Sequence, residues 1–428
     1  MIKIMKYGEV PASELFTRVS FAGAVEETVA EILANVKANG DAALYEYSRK
    51  FDKAELSSLE LSAEEWEAGA ALAEPDFVRV LNEAAENIRN FHRHQLRSGF
   101  IVNEANGVVM GQKVIPIERA GLYVPGGTAS YPSTVLMDAI PAKLAGVSEL
   151  VMVTPPARDG SISPNILAAA KIAGVDRIFK VGGAQAIAAL AYGTQSIPKV
   201  DKIVGPGNAF VAEAKKQVYG LVSIDMIAGP SEVMIVSDGK SDPRFVAADM
   251  LAQAEHDKMA TAVLVTDSEE LAKAVAAEIE AQLRLLAREE IARASIENNG
   301  KIIVAQDLHN AIDIANEIAP EHLEICTDSP FDWLGEVKNA GSVFLGRYTP
   351  EALGDYLAGP NHTLPTLGTA RFSNPLSVDD FVKKTQYSYY SREALEKVAD
   401  DIAIFAKKEG LTAHARSAVI RFGGEDKI

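Results

Sequence analysis

Residues 149–183 read ELVMVTPPARDGSISPNILAAAKIAGVDRIFKVGG. A short, mostly apolar run, ELVMV, is followed by the helical stretch NILAAAKIAG, and a second run, RIFKV, ends on paired glycines. Apolar runs of this length, each followed by a helix, predict parallel strands covered on both faces. The pattern extends both ways: GLYV precedes STVLMDAIPAKLAG upstream, and downstream come AQAIAALAYG, DKIV, NAFVAEAKKQV and finally SEVMIVS. The alternation restarts after SDGKSD. ATAVLVTDS, KIIVAQ, EHLEICT and GSVFLG read as strands, with helices near 242–257, 268–290, 308–318 and 349–358. The first hundred residues are mostly helical in pattern, over 24–50 and 62–95. The last fifty, 379–428, carry aromatic and charged helix-like pieces such as SYYS and AIFAKKEGL, too amphipathic for a free tail. The expected class is α/β, with two Rossmann-like doubly wound domains and a helical N-terminal segment.

At 428 residues the chain is long enough for two or three domains and a large core. It is 48% hydrophobic and 24% charged, with a formal net charge of −17. A polyanion has no electrostatic reason to approach nucleic acid or an anionic membrane, so neither is expected as a partner. MIKIMKYGEV lacks the long apolar core of a signal peptide, and no window approaches the roughly 18 apolar residues of a membrane span, so the cytoplasm is the expected location. The single cysteine, Cys326, excludes an intrachain disulfide and any cysteine-based zinc or iron–sulfur site. A bound metal must therefore take nitrogen and oxygen ligands.

Three strands of the first series end in glycine before a helix, at YVPGGTASYPS (123–133), KVGGAQA (180–186) and VGPGNAF (204–210). Such turns expose backbone N–H groups and a helix N-terminus, which suits a phosphate. None spells G-x-G-x-x-G, and any strand–helix turn favours glycine, so a nucleotide crevice and plain structural turns both remain open.

The segment LAQAEHD (251–257) places unusual chemistry at the end of an apolar helix. The helix is predicted to start at Asp242-Pro243, a cap followed by proline. Val246, Met250 and Ala254 then form a buried stripe, and Asp249, Gln253 and His256 form a separate one at i, i+4, i+7. Gln-x-x-His by itself also fits a solvated helix end. Companions exist among the seven histidines. His322 follows a helix end at Ala319-Pro320, His362 lies in a loop after the helix carrying Asp355, and His414 sits in KKEGLTAHAR. His92, His94 and His309 read as packing or solvated residues. One carboxylate, one amide oxygen and two imidazoles make a zinc site with open positions. Spacing in one sequence does not show that these residues meet.

Together, GLYVPGGTASYPSTVLM, KVDKIVGPGNAFVAEAKKQV, IDMIAGPSEVMIV, AADMLAQAEHD, APEHLEI, LGDYLAGPNHTLPT and EGLTAH resemble the histidinol dehydrogenases, in the same order over about 25 to 420. The resemblance implies oxidation of L-histidinol to L-histidine with two NAD by way of histidinaldehyde, the last step of histidine biosynthesis, by a zinc-dependent homodimer. It assigns Gln253, His256, Asp355 and His414 as zinc ligands, His414 coming from the partner subunit, so that the C-terminal segment becomes a dimerisation tail. Glu321 and His322 become the acid/base pair. Ser231, His362 and Glu409 contact the substrate, together with His322 and the zinc ligands, and Tyr123, Gln185 and Asn208 line the NAD crevice. The implied domains are an arm over 1–22, a discontinuous α/β domain over 23–120 and 237–378 carrying metal and catalytic residues, a second α/β domain over 121–236 on the NAD side, and a segment over 379–428 on the partner.

The chemistry suits these residues. A neutral imidazole titrates near working pH and can take the alcohol proton as hydride leaves carbon, which fits His322. The second oxidation needs water added to an aldehyde. Cys326 lies inside an expected strand, so water assisted by Glu321 is the consistent route rather than a thiohemiacetal. The ion is expected to hold the substrate's imidazole and amine, with Glu409 pairing its ammonium. On a strand, Glu321 and His322 would face opposite ways, so both serve one site only if the strand starts near Leu323. Two rivals stand beside this reading. One is a dehydrogenase of the same family acting on another small alcohol, such as a sulfonated diol, which Glu409 in EGLTAH disfavours. The other is a non-catalytic two-lobed binding protein, which leaves the histidine–carboxylate set unexplained.

Overall fold

A computed structural model describes residues 2–15, 25–104, 106–126 and 131–423. The strands, in chain order, are β1 (Lys3–Lys6), β2 (Phe100–Glu104), β3 (Val108–Pro116), β4 (Arg119–Tyr123), β5 (Glu149–Thr154), β6 (Arg177–Lys180), β7 (Lys202–Val204), β8 (Ser223–Ile224), β9 (Glu232–Ser237), β10 (Thr261–Thr266), β11 (Lys301–Val304), β12 (His322–Cys326), β13 (Ser342–Leu345) and β14 (Val382–Tyr390). The chain divides into two compact units. The first comprises 1–96 and 117–381; the second comprises 97–116 and 382–428.

The first unit holds two parallel sheets. One runs β6-β5-β4-β7-β8 and the other β1-β11-β10-β9-β12-β13. Leaving aside the edge strand β1, in each the chain starts a strand mid-sheet, builds two strands to one side, then returns to build on the other. That is the doubly wound order, and its crevice lies at the carboxyl ends of the strands where the order reverses. Burial on both faces follows from side-chain alternation. Leu122, Leu150, Met152 and Ile178 enter a core with helices Pro75–His92, Pro132–Ala145 and Pro164–Ala173, while Val151, Val153 and Phe179 face helices Glu26–Asn39, Gly183–Tyr192 and Ala209–Val218. The second sheet repeats the scheme. Val233, Ile235 and Leu264 face helices Pro243–Ala254 and Glu269–Leu283, and Met234, Val236, Leu323 and Ile325 face helix Leu308–Ile318.

Several strand and domain expectations are corrected. SEVMIVS does form a strand, β9, but it pairs with β10 and β12 in the second sheet instead of closing the first series. The expected arm over 1–22 contains β1, an edge strand paired in parallel with β11. The N-terminal helices, grouped by sequence with 237–378, are bound mainly to the first sheet. Trp66 Nε1 donates to the Leu167 oxygen at 3.0 Å, Lys180 N to the Leu59 oxygen at 2.8 Å, and Arg177 forks onto Glu60 at 2.7 and 2.8 Å.

The second unit is an antiparallel sheet, β14-β3-β2, followed by helices Arg392–Lys408 and Thr412–Val419, which pack through Ala403, Ala406, Ala415 and Val419. The segment ending in SYYS, read as helix-like, is therefore strand β14, because Val382, Thr385, Tyr387 and Tyr389 supply β-branched and aromatic residues along it. Among the described residues, no helix is long and apolar enough to cross a membrane.

Candidate functional site

The amino end of β12 carries the acid/base candidates. Helix Leu308–Ile318 stops at Ala319, whose backbone is left-handed, and Pro320 redirects the chain. Glu321 thus precedes the strand and His322 is its first residue, paired with Val233 and Ser342. That removes the conflict of facing: the strand starts one residue earlier than Leu323, yet Glu321 stays outside it. Glu321 Oε2 accepts from the Glu232 N–H at 2.8 Å and lies 3.6 Å from His322 Nδ1. His322 Nδ1 is 2.9 Å from the Glu232 main-chain oxygen. A carbonyl only accepts, so Nδ1 carries the proton and Nε2 is left with its lone pair. Burial lowers the pKa of His322 against the opposing pull of Asp355, which favours a neutral ring, and burial pushes the Glu321 carboxyl well above the usual range.

Two acids of one helix converge on that ring. Donor atoms of His322, Glu351 and Asp355 all lie within 4.8 Å of one another, with His322 Nε2 3.8 Å from Glu351 Oε1. Glu351 and Asp355 share one face of helix Glu351–Tyr356 at i, i+4. Asp355 Oδ1 is 3.5 Å from His362 Nδ1, whose Nε2 contacts the Thr134 hydroxyl at 3.3 Å. Burial pushes Asp355 up, but His362, His322 and His256 together hold it down at about 2. Behind it, burial and the negative charge of Asp355 raise Glu351 to about 9.

Helix Pro243–Ala254 begins as expected, Asp242 accepting from the Arg244 N–H at 2.9 Å. It ends at Ala254, so Gln253 occupies the last turn and His256 lies in the turn beyond. Helix Pro243–Ala254 packs against helix Glu351–Tyr356, and the charge of His256 acts on both Asp355 and His322. Gln253 is fully buried, and neither its Nε2 nor its Oε1 has a hydrogen-bond partner. A buried amide normally finds partners, so this one marks a position that expects a ligand. Nitrogen and oxygen donors in this number fit a zinc ion. Ser231 precedes β9, next to the Glu232 that engages both Glu321 and His322. Glu409 and His414 are exposed residues of the second unit, His414 in the first turn of helix Thr412–Val419.

Sequence reasoning missed Glu324 and Glu351. Glu324 shares the face of β12 with His322, being two residues on, and its Oε1 accepts from the Glu351 N–H at 2.8 Å. Its carboxyl is raised by burial and then by Asp249, which burial itself raises to about 6. The i, i+4 spacing of Glu351 and Asp355 was the available signal. Cys326 ends the same strand, four residues from His322 and so about 13 Å away, and burial pushes its thiol up, away from nucleophilic thiolate. Of the remaining histidines, His92 is buried against Gln95 Oε1 at 2.7 Å, His309 pairs with Glu336 at 3.0 Å, and His94 is exposed.

A cavity of about 1080 Å³ opens at the carboxyl ends of the first sheet, and Tyr123, Gln185 and Asn208 all line it. Tyr123 Oη accepts from the Gly183 N–H at 3.1 Å, and burial raises the phenol to about 12. Asn208 caps helix Ala209–Val218, accepting from Phe210 and Val211 N–H groups. At Gly205, with φ 114°, a Cβ would stand 2.1 Å from the Tyr123 oxygen, so the close approach of two strand ends requires glycine. Of the turn over 123–133, residues 127–130 lie outside the described residues.

A profile of the histidinol dehydrogenase family matches residues 17–422. The histidinol dehydrogenase of Clostridium acetobutylicum is 54% identical over 427 residues, covering 99% of each chain. That of Streptococcus mutans is 56% identical over 397 residues, covering 93% of this chain and 92% of the relative. The crystal structure of histidinol dehydrogenase from Elizabethkingia anophelis superposes with a TM-score of 0.93 at 37% identity, covering 99% of both chains.

Proposed function

Because the chain belongs to the histidinol dehydrogenase family, we propose that its two parallel-sheet lobes divide one reaction, the first holding coenzyme and the second metal and substrate. The chain is an NAD-dependent oxidoreductase of histidine biosynthesis that oxidises histidinol. In our reading it takes L-histidinol through histidinaldehyde to L-histidine as a cytoplasmic enzyme. Each turnover consumes two NAD and one water and releases three protons with two NADH. The observation that carries this reading is the meeting of His322, Glu351 and Asp355, with the unpartnered amide of Gln253 on a helix that packs against the helix of Asp355.

Gln253, His256 and Asp355 would hold zinc from within the chain, and His414 would complete the set from a partner subunit. When bound, the ion supplies positive charge that orients the substrate's imidazole and amine. His322, with Nδ1–H committed to the Glu232 oxygen, takes the hydroxyl proton on Nε2 as hydride departs. Glu321 has one oxygen engaged by the Glu232 N–H, leaving the other to position the water that adds to the aldehyde. Ser231 and His362 touch the substrate, and Glu409 accepts from an N–H of its amine. Tyr123, Gln185 and Asn208 hold NAD in the cavity they line. Oxidation of a different small alcohol, such as a sulfonated diol, by the same machinery is the second reading, and Glu409 disfavours it.

Large exposed side chains in the second unit support a homodimer: Ile101 is 71% and Phe405 69% exposed. Mixing His414→Ala with Gln253→Ala protomers is expected to recover activity, since one site of each mixed dimer keeps all its ligands. No recovery in confirmed mixed dimers places every ligand in one chain. The reaction itself is tested by NADH formed per histidinol consumed, before and after chelation. Two NADH, lost on chelation and restored by zinc, are expected. A yield of one, or full activity in metal-free enzyme, overturns the four-electron, metal-dependent reading.

A further inference from the structure

The wall of the coenzyme cavity contains an element no nucleotide turn accounts for. Ser48–Asp52 form a single π-helical turn, and Lys53 after it is left-handed, with φ 58°. Such turns insert one residue into a helix and re-aim its side chains, a device common at functional sites. Here Lys50, Phe51 and Asp52 all reach the cavity. Phe51 is 49% exposed, its ring stacked on Tyr47 at 5.5 Å and met by Lys50 Nζ at 5.3 Å from its centroid, a cation that must swing aside for a base to stack there.

Asp52 is the one carboxylate among the described residues lining the cavity, and its Oδ2 is buried with no hydrogen-bond partner. Burial raises its pKa to about 6, and its charge acts on Tyr123, which also lines the cavity. A doubly wound nucleotide fold ordinarily places an acid near the end of its second strand, where it accepts from the adenosine ribose. The second strand here is β5, and the first acid after it is Asp159, which is not among the residues lining the cavity and whose Oδ1 is taken up by the Ser161 N–H and hydroxyl at 3.0 and 2.6 Å.

We propose that Asp52 supplies the missing ribose acceptor, binding the adenosine hydroxyls of NAD and excluding NADP, with Phe51 as the stacking face for adenine. This rests on the nucleotide reading of the cavity. Ribose hydroxyls are donors, so they satisfy the unpartnered Oδ2. A 2′-phosphate in their place brings a second anion against the carboxylate in a partly desolvated wall, which costs binding. Lys50 and Arg158 also line the cavity and supply positive charge suited to the pyrophosphate.

The test measures NAD and NADP binding to zinc-loaded enzyme by calorimetry, together with steady-state kinetics. Asp52→Asn is expected to weaken NAD about tenfold, the cost of losing a charged hydrogen bond, and to narrow the preference for NAD over NADP. KM for histidinol and zinc content stay at the wild-type value. Phe51→Ala is expected to weaken both dinucleotides alike. Gln185→Ala and Asn208→Ala serve as references. If they lose NAD while Asp52→Asn keeps the wild-type preference, the cavity reading stands and the assignment of Asp52 is overturned. If none of these substitutions affects either dinucleotide, the cavity reading falls and takes the assignment with it.

Discussion

The main-chain N–H of Glu351 donates to Oε1 of Glu324 at 2.8 Å, fastening the helix that bears Asp355 to the strand that bears His322. Glu324 therefore holds the helix of Asp355 in place through a main-chain contact. Glu324→Gln keeps an acceptor and removes a buried acid, so it is expected to retain zinc affinity. Glu324→Ala strands the Glu351 N–H and opens a cavity, a loss of ~2–4 kcal/mol in stability with weaker zinc binding. Urea unfolding and zinc titration of the two variants check this; equal zinc affinities remove the positioning role.

His322→Ala is expected to lower kcat by about 10²–10⁴, the range for a general base, while zinc content stays near normal. Metal analysis of the purified variant decides the point. Loss of zinc with loss of activity makes His322 a ligand, in keeping with its closeness to Glu351 and Asp355.

Gln253→Met exchanges a buried, unpartnered amide for an apolar chain of similar length. Metal-free protein is expected to gain ~1–2 kcal/mol, because the desolvation cost of the amide disappears, and zinc affinity falls at the same time. Stability lost in the metal-free state shows instead that the amide has partners in solution, against a ligand role.

Asp138, fully buried, is raised to about 7 by burial and then by Asp225. Its folded pKa lies above its unfolded value, so its contribution is fully present below about pH 4 and is lost as pH climbs through about 7. The loss is at most about 4 kcal/mol. Asp138→Asn, which keeps an oxygen for the Thr363 hydroxyl, is expected to flatten that decline. Urea midpoints at pH 5 and pH 8 measure it, and an unchanged slope in the variant assigns the pH dependence elsewhere.

Much of the site was legible before any coordinates. Gln253 and His256 stand out as polar residues at the end of an apolar helix and His322 as a histidine just after a helix end, while Asp355 enters through the family resemblance, and the glycine turns mark the strand ends that open on the cavity. Glu351 escaped notice because an acid in the first turn of a short helix is what solvent exposure also produces. Only its packing against β12 buries it. The antiparallel strand β14 was hidden by charged and aromatic residues that fit a helix surface equally well until β3 lies beside it.

The sequence by itself determined the alternation of strand and helix, the glycine turns and the donor types a metal could use, because periodicity and turn chemistry act over a few neighbouring residues. The tertiary structure alone decided that β9 joins β10 and β12, that β1 closes the edge beside β11, and that His322, Glu351 and Asp355 meet. An apolar strand pairs equally well in any parallel sheet, so its neighbours are chosen by the packing of helices far away in the chain.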